Sequence, residues 1–255
     1  MAKGSFFSIS FDLVLLNEPL PYDLYVNSSG VKEREHFVKI YSHDGVLEKD
    51  EIEVFKKKYH QLYVPEAQRN AYLKSLTKTD QFTDEEKTTV IKDSAIKHLE
   101  KLFDSSTEYS TEMLNETIQG CRDSVESMVD VIQDFSVEKI KDLISNLSFH
   151  DFYTYDHSIN VAMYCIGIYR ALKPNASKQE IIQAGFGGLL HDLGKLKIPT
   201  DIINSPDGLT DEQFQQIKKH PDYGLELIET SNCAHGEGMD DIDLDIIKRV
   251  VHEHH

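Results

Sequence analysis

The adjacent pair His191-Asp192 stands inside a series of widely spaced histidines, and this series constrains the fold most strongly. An imidazole beside a carboxylate offers a nitrogen and an oxygen ligand, a combination suited to Mn, Fe or Zn. Any one of these histidines alone is better explained as an ordinary core or surface residue. The ordered series favours metal ligands, so the fold has to bring distant segments together. Its other members are His157, His220, His254 and His255.

Composition excludes several classes of protein. A chain of 255 residues is long enough for one or two domains with a core. The formal charge of −17 argues against a surface for nucleic-acid polymers or anionic membranes, although it permits a nucleotide substrate. The sequence has neither an apolar run of about 18 residues nor a signal-peptide pattern, so we expect a soluble cytoplasmic protein. The separation of Cys121, Cys165 and Cys233 predicts reduced core thiols.

Residues 1–80 predict a small α/β domain. Apolar residues alternate with period two in several short runs, and two helical patterns lie between and after them. We expect this domain to have a sensory or docking role, with a signalling protein as its partner. The predicted strands and helices are Phe7–Leu13, Tyr22–Val26, Phe37–Tyr41, 48–59, Leu62–Val64 and a helix to about Leu76.

Residues 81–147 predict a helical hairpin or linker. Thr83 and Glu86 form a capping box that opens a helix to about Phe103. The next helix carries apolar residues at alternating spacings of four and three, which is typical of a coiled-coil seam. The seam fits either packing within its own chain or a homodimer through the 114–135 helix. Its residues are Leu114, Ile118, Cys121, Val125, Met128, Ile132 and Phe135.

Residues 148–255 predict an all-α domain, so the fold class of the whole chain is α+β. We place His191 and Asp192 on an apolar-flanked helix, with Lys195 facing the same cavity. Adjacent residues on a helix point about 100° apart, which makes one metal between them awkward. The expected helices are 152–172, 178–193, 211–218, 221–230 and 241–254.

Five segments of this region carry motifs in a fixed order. In chain order, the segments are Phe152–Val161, Leu189–Pro199, Ile202–Pro206, Lys219–Gly224 and Val250–His255. They resemble the HD-GYP family, the bacterial phosphodiesterases of cyclic di-GMP within the HD metallohydrolase superfamily, and the resemblance covers roughly residues 145–255. The family continues with a Glu and an Asp-Gly-x-Gly-Tyr-Pro stretch, so we expect the catalytic domain to be incomplete at its C-terminal end.

The resemblance implies a site with two divalent metals, in which Asp192 is a catalytic residue that bridges both ions. It assigns His157 and His191 to the first metal, and His220, His254 and His255 to the second. His252 stays the reserve candidate, because i, i+3 spacing would let it share a face with His255. Tyr153 stands where some members have a Glu for a third metal, which favours two. Iron or manganese is favoured over zinc.

Substrate contacts are implied for two residues: Lys195, also catalytic, and Asn204. The implied activity is hydrolysis of cyclic di-GMP to pGpG or GMP in bacterial second-messenger signalling. Ser205 departs from the family, which usually has Lys at this position. A weakly active or inactive cyclic di-GMP receptor is therefore the second hypothesis. Another HD-type nucleotide phosphohydrolase is the third hypothesis.

Overall fold

The chain divides into two compact units, one ending at Lys87 and the other beginning at Thr88. The structure is a computed structural model. Among the described residues, no helix combines the length and apolarity needed to cross a membrane. The residues described are 5–29, 35–103, 110–147, 153–203, 205, 208–231 and 241–255.

The first unit is built on a four-stranded antiparallel sheet in the order β1-β4-β2-β3. Side chains alternate between its two faces, and one face supplies the unit's core through Leu24, Val26, Leu62 and Val64, all at most 1 % exposed. The elements are β1 (Phe6–Ile9), β2 (Leu24–Asn27), β3 (Phe37–Tyr41), α1 (Lys49–Lys56), β4 (Leu62–Pro65) and α2 (Arg69–Lys78).

The first strand is shorter than the alternating pattern predicts. It ends at Ile9, and a 3-10 turn follows at Phe11–Leu13. The hydroxyl of Ser10 accepts a hydrogen bond from the backbone N–H of Asp12 at 3.2 Å and so caps this turn. A serine that bonds locally to the backbone competes with strand pairing, which period-two alternation alone does not reveal.

The chain after the sheet is helical, so the predicted α+β class is confirmed. Thr83 caps α3 as predicted, accepting from the N–H of Glu86 at 3.2 Å. The helices are α3 (Asp84–Phe103), α4 (Thr111–Ile132), α5 (Val137–Asn146), α6 (Tyr153–Leu172), α7 (Lys178–Leu190), α8 (Thr200–Ile203), α9 (Asp211–Ile217), α10 (His220–Thr230) and α11 (Leu244–Glu253).

Helix α4 is packed inside the second unit against α6 and α7. The predicted seam from Leu114 to Ile132 is buried within the chain, and a Cβ added at Gly185 of α7 would lie 3.0 Å from Cγ1 of Val125. Phe135 lies beyond the helix and is half-buried. The intrachain alternative accounts for this stripe, so a homodimer would have to use another surface or open this packing.

Candidate metal centre

The pair His191-Asp192 lies at a break between two helices, and its predicted place inside one helix is wrong. Helix α7 ends at Leu190, and a 3-10 helix follows at Leu193–Lys197. His191 keeps helical dihedral angles, whereas Asp192 turns to φ −96° and ψ 10°. This turn brings Nε2 of His191 to 3.2 Å from Oδ2 of Asp192. The break thus removes the awkward divergence of neighbouring residues on a continuous helix.

One oxygen of Asp192 faces the first group of potential ligands. Oδ2 lies 3.2 Å from Nε2 of His191 and 3.9 Å from Nε2 of His157, which α6 contributes. One ligand atom from each of these three residues lies within 4.8 Å of the others. We call His157, His191 and Asp192 the first half-site. The Asp192 side chain is 5 % exposed, whereas that of His157 is 44 % exposed.

The other oxygen of Asp192 faces the second group. Oδ1 lies 3.2 Å from Nε2 of His220 and 3.9 Å from Nε2 of His254. Nε2 of His220 is also 3.1 Å from Nε2 of His254 and 3.2 Å from Nε2 of His255. We call His220, His254 and His255 the second half-site. Four of the five proposed histidine ligands thus lie beside the Asp192 carboxylate, and His255 joins the second half-site through His220.

Backbone carbonyls orient three of the histidine rings. Nδ1 of His191 lies 2.8 Å from the carbonyl oxygen of Gly188, Nδ1 of His220 2.7 Å from that of Ile217, and Nδ1 of His254 2.9 Å from that of Val251. A carbonyl oxygen only accepts, so Nδ1–H has to donate. In a neutral ring, Nε2 is then left with a lone pair, the arrangement that metal-binding histidines adopt.

The second half-site has the spacing that a metal ion requires. Two ring nitrogens bound to one metal at about 2.0–2.1 Å, with an angle of about 90–110°, lie roughly 2.9–3.4 Å apart. The pairs His220–His254 and His220–His255 are 3.1 and 3.2 Å apart. Because Nδ1 of both His220 and His254 is committed to a carbonyl, neutral rings direct two lone pairs at one region. These repel without a cation, so the residues fit a divalent metal.

The electrostatics favour the metal-binding forms of three proposed ligands, Asp192, His157 and His254. Burial alone would raise the pKa of Asp192, but its polar neighbours His191, His220 and Lys195 outweigh burial and lower that pKa well below its usual range. For His157 and His254, burial disfavours the charged ring and therefore lowers the pKa. An ionised carboxylate and neutral imidazoles are the protonation states that metal binding requires.

Lys195 lies at the edge of the first half-site. Its Nζ is 2.7 Å from Oδ2 of Asp192, and its side chain is 24 % exposed. A 3-10 helix has three residues per turn, so side chains three apart eclipse one another, and this places Lys195 over Asp192. Lys197 instead pairs with Glu226 of α10 at 2.7 Å.

The reserve ligand His252 points elsewhere. Its side chain is 46 % exposed, and Nε2 lies 3.1 Å from Oδ1 of Asp222. Helix α11 ends at Glu253. His255 therefore lies outside the helix, and the i, i+3 spacing that made His252 a candidate does not apply.

Some predicted features cannot be located. Asn204 lies outside the described residues, as do Cys233 and the side chain of Tyr153. Ser205 is described and half-buried. Sequence reasoning did not single out Lys92 and Asp156, which pair at 2.8 Å beside the first half-site. In the sequence, Asp156 could have been noticed because it directly precedes His157. Lys92 lies on a separate helix, and nothing in its local sequence indicates this partner.

Comparisons with known proteins locate the same region. Residues 154–255 match the HD domain family model. A cyclic di-GMP phosphodiesterase of Pseudomonas aeruginosa is 40% identical over 79 residues, 31% of this chain and 18% of that protein. One of Thermotoga maritima is 30% identical over 100 residues, covering 39% and 27%. A 3'3'-cGAMP-specific phosphodiesterase of Vibrio cholerae is 28% identical over 109 residues, covering 43% and 20%. Each match thus spans less than a third of the relative.

A solved structure resembles the fold over nearly the whole chain. The HDG"Y"P protein from Bdellovibrio bacteriovorus aligns with a TM-score of 0.50 and 17% sequence identity, covering 98% of this chain and 77% of that one. Identity at this level supports the fold alone. The match of residues 154–255 to the HD domain family, together with the curated relatives, confirms the resemblance to the HD-GYP family that the motifs of this region indicate.

Proposed function

We propose that this protein is a metal-dependent phosphodiesterase that hydrolyses cyclic di-GMP to linear pGpG and further to GMP. The observation that carries the proposal is the position of Asp192, whose two oxygens face two separate groups of histidines. Relatives named as cyclic di-GMP phosphodiesterases support the substrate, and relatives named for 3'3'-cGAMP keep the proposal within cyclic dinucleotides.

The two half-sites would hold one divalent ion each, with Asp192 shared between them. When bound, such ions polarise a phosphate and make water a nucleophile near neutral pH. Iron or manganese fits a ligand set that mixes imidazole with carboxylate and has room for more than four donors. Asp192 itself stays ionised, because the groups around it lower its pKa.

Lys195 would bind a non-bridging oxygen of the scissile phosphate. Its ammonium group lies beside Asp192, is partly exposed, and carries three N–H donors. Negative charge grows on the phosphate oxygens during hydrolysis, so a fixed cation there stabilises the transition state more than the ground state. Lys197 is held by Glu226 and contributes less. Asn204 is proposed as a second substrate contact on the strength of the motif.

Hydrolysis assays with Lys195→Ala test this function. The wild-type protein, purified without oxygen and supplied with Fe²⁺ or Mn²⁺, should release pGpG from cyclic di-GMP. Lys195→Ala should keep its metal and lose roughly 10²–10³-fold in turnover, the usual loss for one transition-state donor. Lys197→Ala is the matched control and should stay within a few-fold of wild type.

The same assays separate the alternatives. Binding of cyclic di-GMP without hydrolysis under these conditions would favour the receptor hypothesis, which the departure at Ser205 supports. Faster hydrolysis of 3'3'-cGAMP than of cyclic di-GMP would change the substrate within the same class. Hydrolysis of neither, with turnover of a nucleoside polyphosphate instead, would overturn the proposal in favour of another HD phosphohydrolase.

A further inference from the structure

A buried ion pair lies immediately beside the first half-site. Nζ of Lys92 on α3 is 2.8 Å from Oδ1 of Asp156 on α6, and the two side chains are only 3 % and 6 % exposed. Asp156 directly precedes His157 in the first turn of α6. Lys92 precedes the region that matches the HD domain, so the pair connects that domain to a helix outside it.

The surroundings of Lys92 fix its position. Its neighbours Ile91, Ala95 and Ile96 are at most 3 % exposed, so this face of α3 is held in the packed interior. A charge buried this deeply is costly unless a partner of opposite charge stays within reach. The carboxylate of Asp156 is therefore drawn to one place, and the first turn of α6 has to keep the rotation that puts it there.

That rotation also decides where His157 points. The side chain of His157 is 44 % exposed, whereas those of His191 and His220 are 11 % and 3 % exposed. Packing around the ring holds His157 less than it holds the others, so its place depends more on the backbone that carries it. We propose that Lys92 is a positioning residue for the first half-site, acting through Asp156 on the turn that aims His157 at Oδ2 of Asp192.

The effect should be confined to one ion. His220 belongs to α10, and His254 and His255 follow α11, so elements other than α3 and α6 carry the second half-site. This inference rests on the proposed metal centre, and metal binding by the wild type tests that centre separately. A loss of global stability would weaken both ions together, which distinguishes folding from positioning.

The test is a Mn²⁺ titration followed by electron paramagnetic resonance. The wild type should bind two ions and show a spin-coupled pair. Lys92→Met should weaken one of the two ions about 10–100-fold, the usual cost of losing a residue that orients a ligand, and show an isolated Mn²⁺ signal. Lys92→Arg should restore the pair. Lys97→Met, an exposed lysine on the same helix, is the control and should bind two ions.

A double variant separates positioning from folding. Lys92→Met combined with Asp156→Leu removes both charges and leaves an apolar contact, which protein interiors usually tolerate. Its melting temperature should be close to that of the wild type. The second half-site should still bind its ion tightly, and the first half-site should bind its ion weakly. Adding His157→Ala should change little, because the same half-site is already impaired, whereas adding His220→Ala should remove the remaining ion.

Three results would overturn the inference. Two tight, coupled ions in the folded double variant would show that the pair does not position His157. If Lys92→Met weakens the binding of both ions equally, in proportion to the drop in its melting temperature, the pair has only a structural role. A wild type that binds no Mn²⁺ or Fe²⁺ would overturn the metal centre and, with it, this inference.

Discussion

Asp192 has two oxygens, and each faces a different group of histidines. Oδ2 lies near His157 and His191, and Oδ1 lies near His220 and His254. The family motif anticipated these residues, but helical spacing alone would have paired His252 with His255. It could not show that α11 ends at Glu253, after which His254 enters the cluster and His252 contacts Asp222.

Replacing a single histidine of the second half-site tests its separateness. His220→Ala removes a ring whose Nε2 is 3.2 Å from Oδ1 of Asp192, so it should lose one ion and leave the first half-site filled. We expect metal analysis to find about one ion per chain, against about two in the wild type. His252→Ala, at the exposed neighbouring histidine, should keep both. Equal losses in the two variants would contradict this assignment.

At the scale of elements, a close approach of two backbones positions His220. A side chain on Gly194 would overlap the carbonyl oxygen of His220 and the backbone nitrogen of Gly224. The 3-10 helix that follows Asp192 can therefore pack directly on α10 only because residue 194 lacks Cβ. The sequence shows a glycine between Asp192 and Lys195, but not which backbone it contacts, because that depends on tertiary structure.

Gly194→Ala should consequently disturb the second half-site. The added methyl group would push α10 away from the 3-10 helix and lengthen the distance from His220 to Asp192. We expect the second ion to bind about 10–100-fold more weakly in a Mn²⁺ titration, as for other residues that orient ligands. Gly208→Ala, where a Cβ would meet no atom of the described residues within 4 Å, is the control. Wild-type affinity for both ions in Gly194→Ala would disprove the role of this contact.

Helix α4 shows what periodicity can and cannot predict. The seam residues and their common face were predictable, because an apolar stripe implies burial. The surface that covers this stripe was not predictable, because a stripe covered by α6 and α7 has the same sequence pattern as a dimer seam.

Val125→Glu distinguishes these two partners. It places a carboxylate on a side chain that is 1 % exposed and should cost about 3–5 kcal/mol of unfolding free energy. If the packing is intrachain, the drop in Tm should not depend on protein concentration, and light scattering should give one mass on dilution. Thr111→Glu, exposed at the start of α4, should have little effect. A Tm drop that shrinks at high concentration would indicate a seam between chains.

At the scale of the whole molecule, metal binding should stabilise one unit and not the other. All six proposed ligands lie in the unit that begins at Thr88. An ion that binds only the folded state adds about 2.7 kcal/mol when its concentration is about a hundredfold Kd. Chelation with EDTA should therefore lower the unfolding temperature of this unit and leave that of the sheet unit unchanged.

Hydrogen exchange with mass spectrometry can follow the two units separately. Peptides of α6, α7 and α10 should lose protection in EDTA and regain it with Mn²⁺, while peptides of β2 and β4 serve as the internal control. Equal changes in both sets would contradict a metal site confined to one unit.

Long-range pairing is the part of this molecule that its sequence could not reveal. The α+β class followed from local patterns, and the proposed ligands followed from ordered motifs. The Lys92–Asp156 pair followed from neither, because a lysine on one helix and an aspartate on another carry no mark of their partnership. Burial and distance establish it, and both are properties of the folded chain.

Metal analysis of Asp192→Ala tests the bridging carboxylate most directly. Asp222→Ala is the matched control, because that carboxylate is 71 % exposed and faces only the proposed non-ligand His252 among its described ion pairs. Purified without oxygen, wild type and Asp222→Ala should each carry about two transition-metal ions per chain, and Asp192→Ala should lose most of both. Full metal content in Asp192→Ala, or the loss of one ion with the other bound as tightly as before, would contradict a carboxylate shared by two metals.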